Sequence, residues 1–407
     1  MSKNNDYLKD HYNNFVYPPP DNVLLSSEKP LIFEGDPTVF WSRLFPERKF
    51  SKDKLLVLIA GCGTREAAIF ARANPNHDFI GIDLSEKSIE HQKELIDKYK
   101  LTNLKLICND FRKEKFNEKF DYIVSFGVIH HLEDPASALI YFNEILKDNG
   151  VIALMVYGDK INHAINKVKK IFNHLNLGHD QYAIDFAKQL FTKLNPSHPA
   201  KIQADNSFDM KQGGAAIVDF CLHKSEKFYS IKELIKLLDE NGFVIKNLNH
   251  GYKFALTKFF YGDAKIGNKD VIDNLRSLNI EDQLELGQIL NWDDRKVSII
   301  CTKVINKKNS IIYNLSNYKN FYCGQNLEIK YNVSKGKLDL KFAGNQLISI
   351  NIPLNTEEKC IKMLQGKNTI NSILDEFTEQ DKIIYDDIIR LLVENYLIDL
   401  SFHPFNF

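Results

Sequence analysis

Short apolar runs alternate with helical patterns through the first part of the chain. Leu55-Leu-Val-Leu-Ile59, Phe79-Ile-Gly-Ile82, Leu104-Lys-Leu-Ile-Cys108, Phe120-Asp-Tyr-Ile-Val-Ser-Phe126 and Val151-Ile-Ala-Leu-Met-Val156 read as strands. The first has the length and Val/Ile/Leu content of a strand buried on both faces of a parallel sheet. Between the runs, Glu66-Ala-Ala-Ile-Phe-Ala-Arg-Ala73 has helical composition, with a start near Thr64. Ala136 to Leu146 predicts another helix, closed by a Lys-Asp-Asn-Gly150 turn. This alternation predicts a doubly wound α/β sheet.

The polar residues at the strand ends carry the candidate chemistry. Gly61 and Gly63 follow the first run directly, where a tight turn brings backbone close to a ligand. Asp83 ends the second run about twenty residues later, the spacing at which a carboxylate takes both hydroxyls of a ribose. Arg65 stands where a dinucleotide fingerprint has its third glycine, which argues against NAD or FAD. S-adenosylmethionine (SAM), which has no phosphate, is compatible with a long side chain there. Asp110, after the third run, is placed to accept from an adenine amino group, with Phe111 covering the ring; capping of a turn is the competing reading of Asp110.

IAGCGT, GIDLS, NDF and FDYIVSFGVIHHLEDP, in this order, resemble motifs one to four of the class I SAM-dependent methyltransferases. The match covers roughly Leu55 to Tyr157. The resemblance implies a Rossmann-like doubly wound sheet, with SAM as cofactor. Carried over residue by residue, it implies a cofactor set of Ala60, Gly61, Cys62, Gly63, Asp83, Leu84, Asp110, Phe111, Ser125, Phe126, Gly127 and His131. Gly61 and Gly63 would face the methionine part, Asp83 the ribose, Asp110 and Phe111 the adenine, and Ser125–Gly127 the floor. Tyr17, ahead of three prolines, is held extended and either closes the cofactor mouth or packs on the core.

A looser resemblance extends beyond this part. Tyr12-Asn-Asn-Phe-Val-Tyr17-Pro18, Met155-Val-Tyr157-Gly158, Asp219-Phe-Cys-Leu-His223 and Leu284-Glu-Leu-Gly-Gln-Ile-Leu are similar to a bacterial group that contains rickettsial outer-membrane-protein lysine methyltransferases. That resemblance implies a methyltransferase core with an inserted helical region and a C-terminal winged-helix-like domain, and the residue pattern divides the chain into four parts. Residues 1–50 form an aromatic, Pro-rich, irregular segment that packs on the core. Residues 51–158 and 215–305 form the SAM-binding core. Residues 159–214 form a helical insertion on the substrate or dimer side, with Gln212-Gly213-Gly214 as a joint. Residues 306–407 form a C-terminal α+β domain with a winged-helix-like end. Its strands are placed at Leu327–Tyr331, Leu338–Phe342 and Leu347–Ile352, punctuated by Gly336 and Gly344. Its helices are placed at Glu357–Leu364, Thr369–Phe377 and Lys382–Glu394. Ser230-Ile-Lys-Glu233 reads as a capping box opening a helix that stops at Asn241-Gly242.

Methyl transfer from a sulfonium is an in-line displacement, so alignment of the acceptor is the main task. A lysine acceptor must also lose its proton, from a free pKa of roughly 10.4. Tyr157 and His130 are the candidate catalytic residues at the sheet edge, with packing as the competing role for each. Asp219 and His223, four apart, read as a pair on one helix face. A fourth strand ending in Ser-Phe-Gly disfavours DNA-base and glutamine-N5 methylation. Methylation of a protein substrate on a lysine side chain is the leading reading. A small-molecule O- or N-methyltransferase and a non-catalytic SAM-binding scaffold are the alternatives.

Composition narrows the partners. Lys and Arg total 53, as do Asp and Glu, so no global charge draws the chain to nucleic acid. The last helix, with Asp386, Asp387 and Glu394 beside Arg390, is not a basic recognition helix, which suits protein contact or a homodimer. The six cysteines form no CxxC and no cluster at metal spacing, so no metal is expected. Cys62, Cys108 and Cys301, in or beside apolar runs, read as buried free thiols of a reducing, cytoplasmic compartment. No apolar run reaches the length of a membrane span, and the first residues lack a signal-peptide pattern.

Overall fold

The computed structural model describes residues 3–21, 33–51, 53–178, 180–207, 210–211, 214–223, 226–257, 269–291, 296–341 and 347–405. The chain divides into two compact units. One comprises Met1–Asp36, Asp53–Ser230 and Asp293–Val297; the other Pro37–Lys52, Ile231–Trp292 and Ser298–Phe407. The main sheet has strands β1 Leu56–Ala60, β2 Asp78–Asp83, β3 Leu104–Cys108, β4 Phe120–Phe126, β5 Leu146–Tyr157, β6 Phe243–Leu248 and β7 Lys296–Lys303. Their order is β3-β2-β1-β4-β5-β7-β6. The first five pair in parallel, and β6 and β7 pair antiparallel. This makes the fold a mixed α/β, Rossmann-like one.

In the first unit, the helix Glu66–Ala73 buries Ala67, Ala68, Phe70 and Ala71. Its alanines allow close approach to β2, where a Cβ on Gly81 would lie 2.8 Å from that of Ala67. Ser85 caps the helix Glu86–Tyr99 through Ser88 N, and Asp134 caps Pro135–Ile145 through Ala136 N. Helix and strand meet at Leu146, so β5 takes in the expected Lys-Asp-Asn-Gly turn. A register shift between Phe120 and Tyr122 absorbs the irregularity. β3 is an edge strand, and its last residue, Cys108, is exposed rather than buried. Cys62 and Cys301 are buried as expected from their runs.

The N-terminal segment is not irregular throughout: Lys3–Asn14 is an α-helix. Neither Pro nor Gly interrupts it, and Leu8 and His11, one turn apart, are both buried. Among the described residues, the stretch 159–214 includes the helices Asp159–His174, Gln181–Lys193 and Pro199–Asn206, packed around Ile165, Phe172, Ile184 and Phe191. Gln212 and Gly213 of the proposed joint lie outside the described residues. Asp219 and His223 do not share an α-helical face. Val218–Leu222 is a π-helical turn, and His223 is already extended. The wider turn aims the two side chains at different partners.

In the second unit the helix Ile231–Glu240 is followed by Gly242 at φ +80°, the left-handed stop expected for it. Two helices, Lys269–Ser277 and Ile280–Asn291, occupy the next described stretch. Beyond β7 come β8 Tyr322–Gln325, β9 Lys330–Ser334, β10 Lys337–Lys341, β11 Leu347–Asn351, β12 Gln365–Thr369 and β13 Ile398–Ser401. β9–β11 form one antiparallel sheet, and β12, β8 and β13 form another. The helices are Glu357–Leu364, Ile370–Leu374 and Glu379–Glu394. Gly366 lies within β12, which pairs with β8. Phe342 and Gly344 lie outside the described residues. Arg43 is buried in this unit, bonded to Asp399 (2.9 Å), Glu328 (3.1 Å) and Asn326 (2.6 Å). Among the described residues, no helix is long and apolar enough to cross a membrane.

Candidate active site

The glycine turn after β1 is built for backbone alone. Gly61 has φ +78°, and a Cβ there would lie 2.3 Å from Cγ2 of Val128. Gly63, at φ +51°, faces Cδ of Pro18 at 3.2 Å from a hypothetical Cβ. Gly61 N and Cys62 N donate to the carbonyl of Ile82, which ties the turn to the end of β2. Gln92, fully buried, donates to the carbonyls of Cys62 (3.0 Å) and Gly63 (2.7 Å) and accepts from Ala68 N. Burial, with Asp83 nearby, pushes the Cys62 thiol well up, so it stays protonated and inert.

Asp83 is held at the tip of β2. Its Oδ2 accepts from Gly63 N (2.8 Å) and its Oδ1 from Ser85 N (2.9 Å). Burial raises its pKa, against the pull of these backbone N–H groups. Asp110 follows β3 and is gripped bidentately by Arg112, at Nε–Oδ1 3.0 Å and Nη2–Oδ2 2.9 Å. Burial opposes the charge, but Arg112 outweighs it and keeps the carboxylate below its ordinary value. A carboxylate offers about four lone-pair positions, so acceptor capacity remains beside Arg112. Phe111 stacks on Phe142 at 5.2 Å and 20°.

These groups line one cavity of about 420 Å³, all within the first unit. That volume falls in the roughly 300–1,000 Å³ range of small-molecule sites. Gly61, Cys62, Gly63, Asp83, Leu84, Asp110, Phe111, Phe126, Gly127, His131, Tyr17 and Tyr157 all line it. Ala60, Ser125 and His130 lie behind the wall, each essentially without solvent exposure. The His130 ring is packed between His131 (4.1 Å) and Tyr157 (4.2 Å). Burial, with His131 next to it, keeps its pKa well down and the ring neutral. The geometry thus places His130 in the packing behind the cavity wall.

Leu8, Tyr12, Tyr17 and Pro18 bring the N-terminal segment to the cavity. Thr64 Oγ1 donates to the Pro18 carbonyl, and Ser85 Oγ donates to that of Tyr12. Arg65 lines the cavity and pairs with Asp21 at 2.9 Å. At one end of the cavity Tyr157 Oη donates to Oδ2 of the buried Asp219 at 3.3 Å. Burial, then Asp219, raises the Tyr157 pKa well above its usual value, so it remains a phenol. Sequence reasoning missed Gln92, Arg112 and Glu66 as parts of this site. Glu66 opens the helix after the glycines and lines the cavity; burial, with Glu34 adjacent, pushes its pKa up to about 8. Its one available signal was its place three residues past Gly63. Gln92 had none, because its role depends on how two helices pack.

Residues 51–194 match the family model described as a methyltransferase domain. With the strand order above and the glycine–acid geometry, these residues form a methyltransferase domain. Among solved structures it is similar to PKMT2 from Rickettsia typhi in complex with AdoHcy. The TM-score is 0.59 and the identity 17%, covering 88% of this chain and 74% of that one. The likeness therefore shows a shared fold over most of the chain. Among curated proteins it is 21% identical over 247 residues to syc1184_c of Synechococcus, 58% of this chain and 57% of that protein. It is 30% identical over 110 residues to (S)-coclaurine N-methyltransferase of Papaver somniferum, 27% of this chain and 31% of that enzyme. The chain thus matches about half, or less, of the length of these curated relatives.

Proposed function

We propose that this chain transfers the methyl group of SAM to a lysine side chain of a protein, in the cytoplasm. The observation that carries the reading is the Tyr157–Asp219 pair in a cavity also lined by Tyr12, Tyr17 and His131. A buried carboxylate among aromatic rings attracts a lysine ammonium and suits no neutral hydroxyl acceptor as well. When bound, SAM supplies a methyl on a sulfonium sulfur, which passes to the amine nitrogen as the sulfur keeps the bonding electron pair.

Each residue then has a task. Asp83 takes the ribose hydroxyls, Asp110 and Phe111 the adenine, and the Gly61–Gly63 backbone the methionine part. Asp219 draws in the ammonium and accepts its proton. Tyr157, held as a phenol, orients Asp219 and the amine. The free, mostly buried cysteines suit a reducing compartment. The resemblance to rickettsial lysine methyltransferases adds an outer-membrane-type protein as acceptor. One observation favours a small-molecule acceptor instead: residues of the N-terminal segment wall the cavity, as a lid over a metabolite would.

The test uses the full chain with SAM labelled in its methyl group, a recombinant outer-membrane-protein fragment and a metabolite extract. Methyllysine in the protein hydrolysate, reduced at least about tenfold in kcat by Asp219→Asn, supports the proposal. Label confined to the metabolite fraction would replace it with the small-molecule reading.

A further inference from the structure

We propose that His131, His223 and Glu226 form a binding site for a divalent transition-metal ion of the Zn²⁺ type, beside the cavity. Ligand atoms of the three side chains all lie within 4.8 Å of one another. At metal–ligand distances of about 2.0–2.2 Å, tetrahedral ligand atoms stand roughly 3.3–3.6 Å apart, so side-chain shifts of about an ångström close the set. The His131 and His223 rings are 4.3 Å apart and inclined by 39°. Both residues are 4% exposed, and the Glu226 side chain 3%. Water is thus largely kept from the donors, which strengthens each bond to a cation.

The donor chemistry selects the ion. Two imidazoles and a carboxylate, without thiolate, are the set of catalytic zinc and non-haem iron centres that keep a position open. Ca²⁺ and Mg²⁺ prefer oxygen donors, which a pair of imidazoles does not supply. His131 also lines the cavity, so an ion held here stands against the cavity wall. Lys169 bears on the same carboxylate: its ammonium, itself buried, pairs with Glu226. A carboxylate this deep needs a positive partner, and Lys169 fills that part without a metal. Metal binding is then a competition with Lys169 for Glu226. This site goes beyond methyl transfer and holds whichever acceptor is used.

The test uses tag-free full-length chain, stripped with a chelator and titrated with Co²⁺ alone while visible absorbance is followed. One Co²⁺ per chain, with the strong absorption of a four- or five-coordinate ion and displacement by Zn²⁺, is expected. His223→Gln and Glu226→Gln should each weaken binding by more than the roughly 10–100-fold that loss of an outer-shell partner costs. His174→Gln, at an exposed helix end, should leave it unchanged. Lys169→Met should tighten it, a gain that misfolding cannot imitate. Absence of a saturable site, or Co²⁺ binding indifferent to both ligand variants, overturns the proposal. Circular dichroism checks the fold of each variant, and Glu226→Gln decides alone if His223→Gln does not fold.

Discussion

The backbone N–H of Gly63 donates to Oδ2 of Asp83 at 2.8 Å, joining the glycine turn after β1 to the acid that ends β2. Asp83 therefore shapes the turn as well as offering a carboxylate to a ligand. Asp83→Asn sets an amide NH₂ against one of the two backbone N–H donors. Loss of one charge-assisted hydrogen bond costs about 1.5–3 kcal/mol. SAM affinity, by calorimetric titration, is expected to fall about 10- to 100-fold. Unchanged affinity would show that Asp83 serves the turn only.

Gly61→Ala places a methyl 2.3 Å from Val128 Cγ2 at a φ of +78°. Strain and overpacking of about 1–3 kcal/mol each are expected. The variant should have a lower Tm and bind SAM poorly. Adding Val128→Ala should recover part of the Tm, since it removes the clash and leaves the backbone strain.

Arg65 occupies the third-glycine position and pairs with Asp21, the two side chains 35% and 47% exposed. Such pairs contribute about 0–1 kcal/mol. Arg65→Gly is expected to change SAM affinity by less than about fivefold, measured by the same titration.

The Glu66 carboxyl, pushed up from 4.5 to about 8 by burial and then by Glu34, prefers its neutral form in the fold. Its contribution to stability is fully present below the unfolded pKa of 4.5 and is lost as pH rises through about 8. Glu66→Gln, which is neutral at every pH, should flatten that decline. Thermal melts from pH 6 to 9.5 should show the wild-type Tm falling relative to the variant; parallel curves would contradict the shift.

Arg43 is buried in the second unit, and Arg43→Met leaves Asp399 and Glu328 without it. Breaking a buried pair costs about 3–5 kcal/mol, read as a fall in the urea midpoint. Burial raises Glu328, but Arg43 and His250 outweigh it and hold it at about 2. Its stabilising contribution is complete above the unfolded value of 4.5 and fades as pH falls through about 2. The variant should lose part of this acid dependence, since His250 still pairs with Glu328.

Several parts of the fold and site are legible in the sequence. Gly61, Gly63 and Asp83 stand out because a tight turn needs positive φ and a strand-to-strand distance is set by one helix. Both are local properties. The helix Glu357–Leu364 and the stop at Gly242 were legible for the same reason. The N-terminal helix Lys3–Asn14 was not, because its aromatic and proline neighbours read as irregular and its partners, such as Ser85 and His223, lie far along the chain.

The sequence by itself determined the strand–helix order, the turn chemistry and the type of cofactor, since each follows from residues close together along the chain. Tertiary structure alone decided which side chains meet. Tyr157 reaches Asp219 across 62 residues, and His131 reaches His223 although they lie on separate segments. A π-helical turn, rather than the α-helical spacing the pattern suggested, sends Asp219 and His223 to different partners. The physical reason is that side-chain direction depends on backbone geometry and on packing between distant segments, neither of which leaves a periodic trace in the sequence.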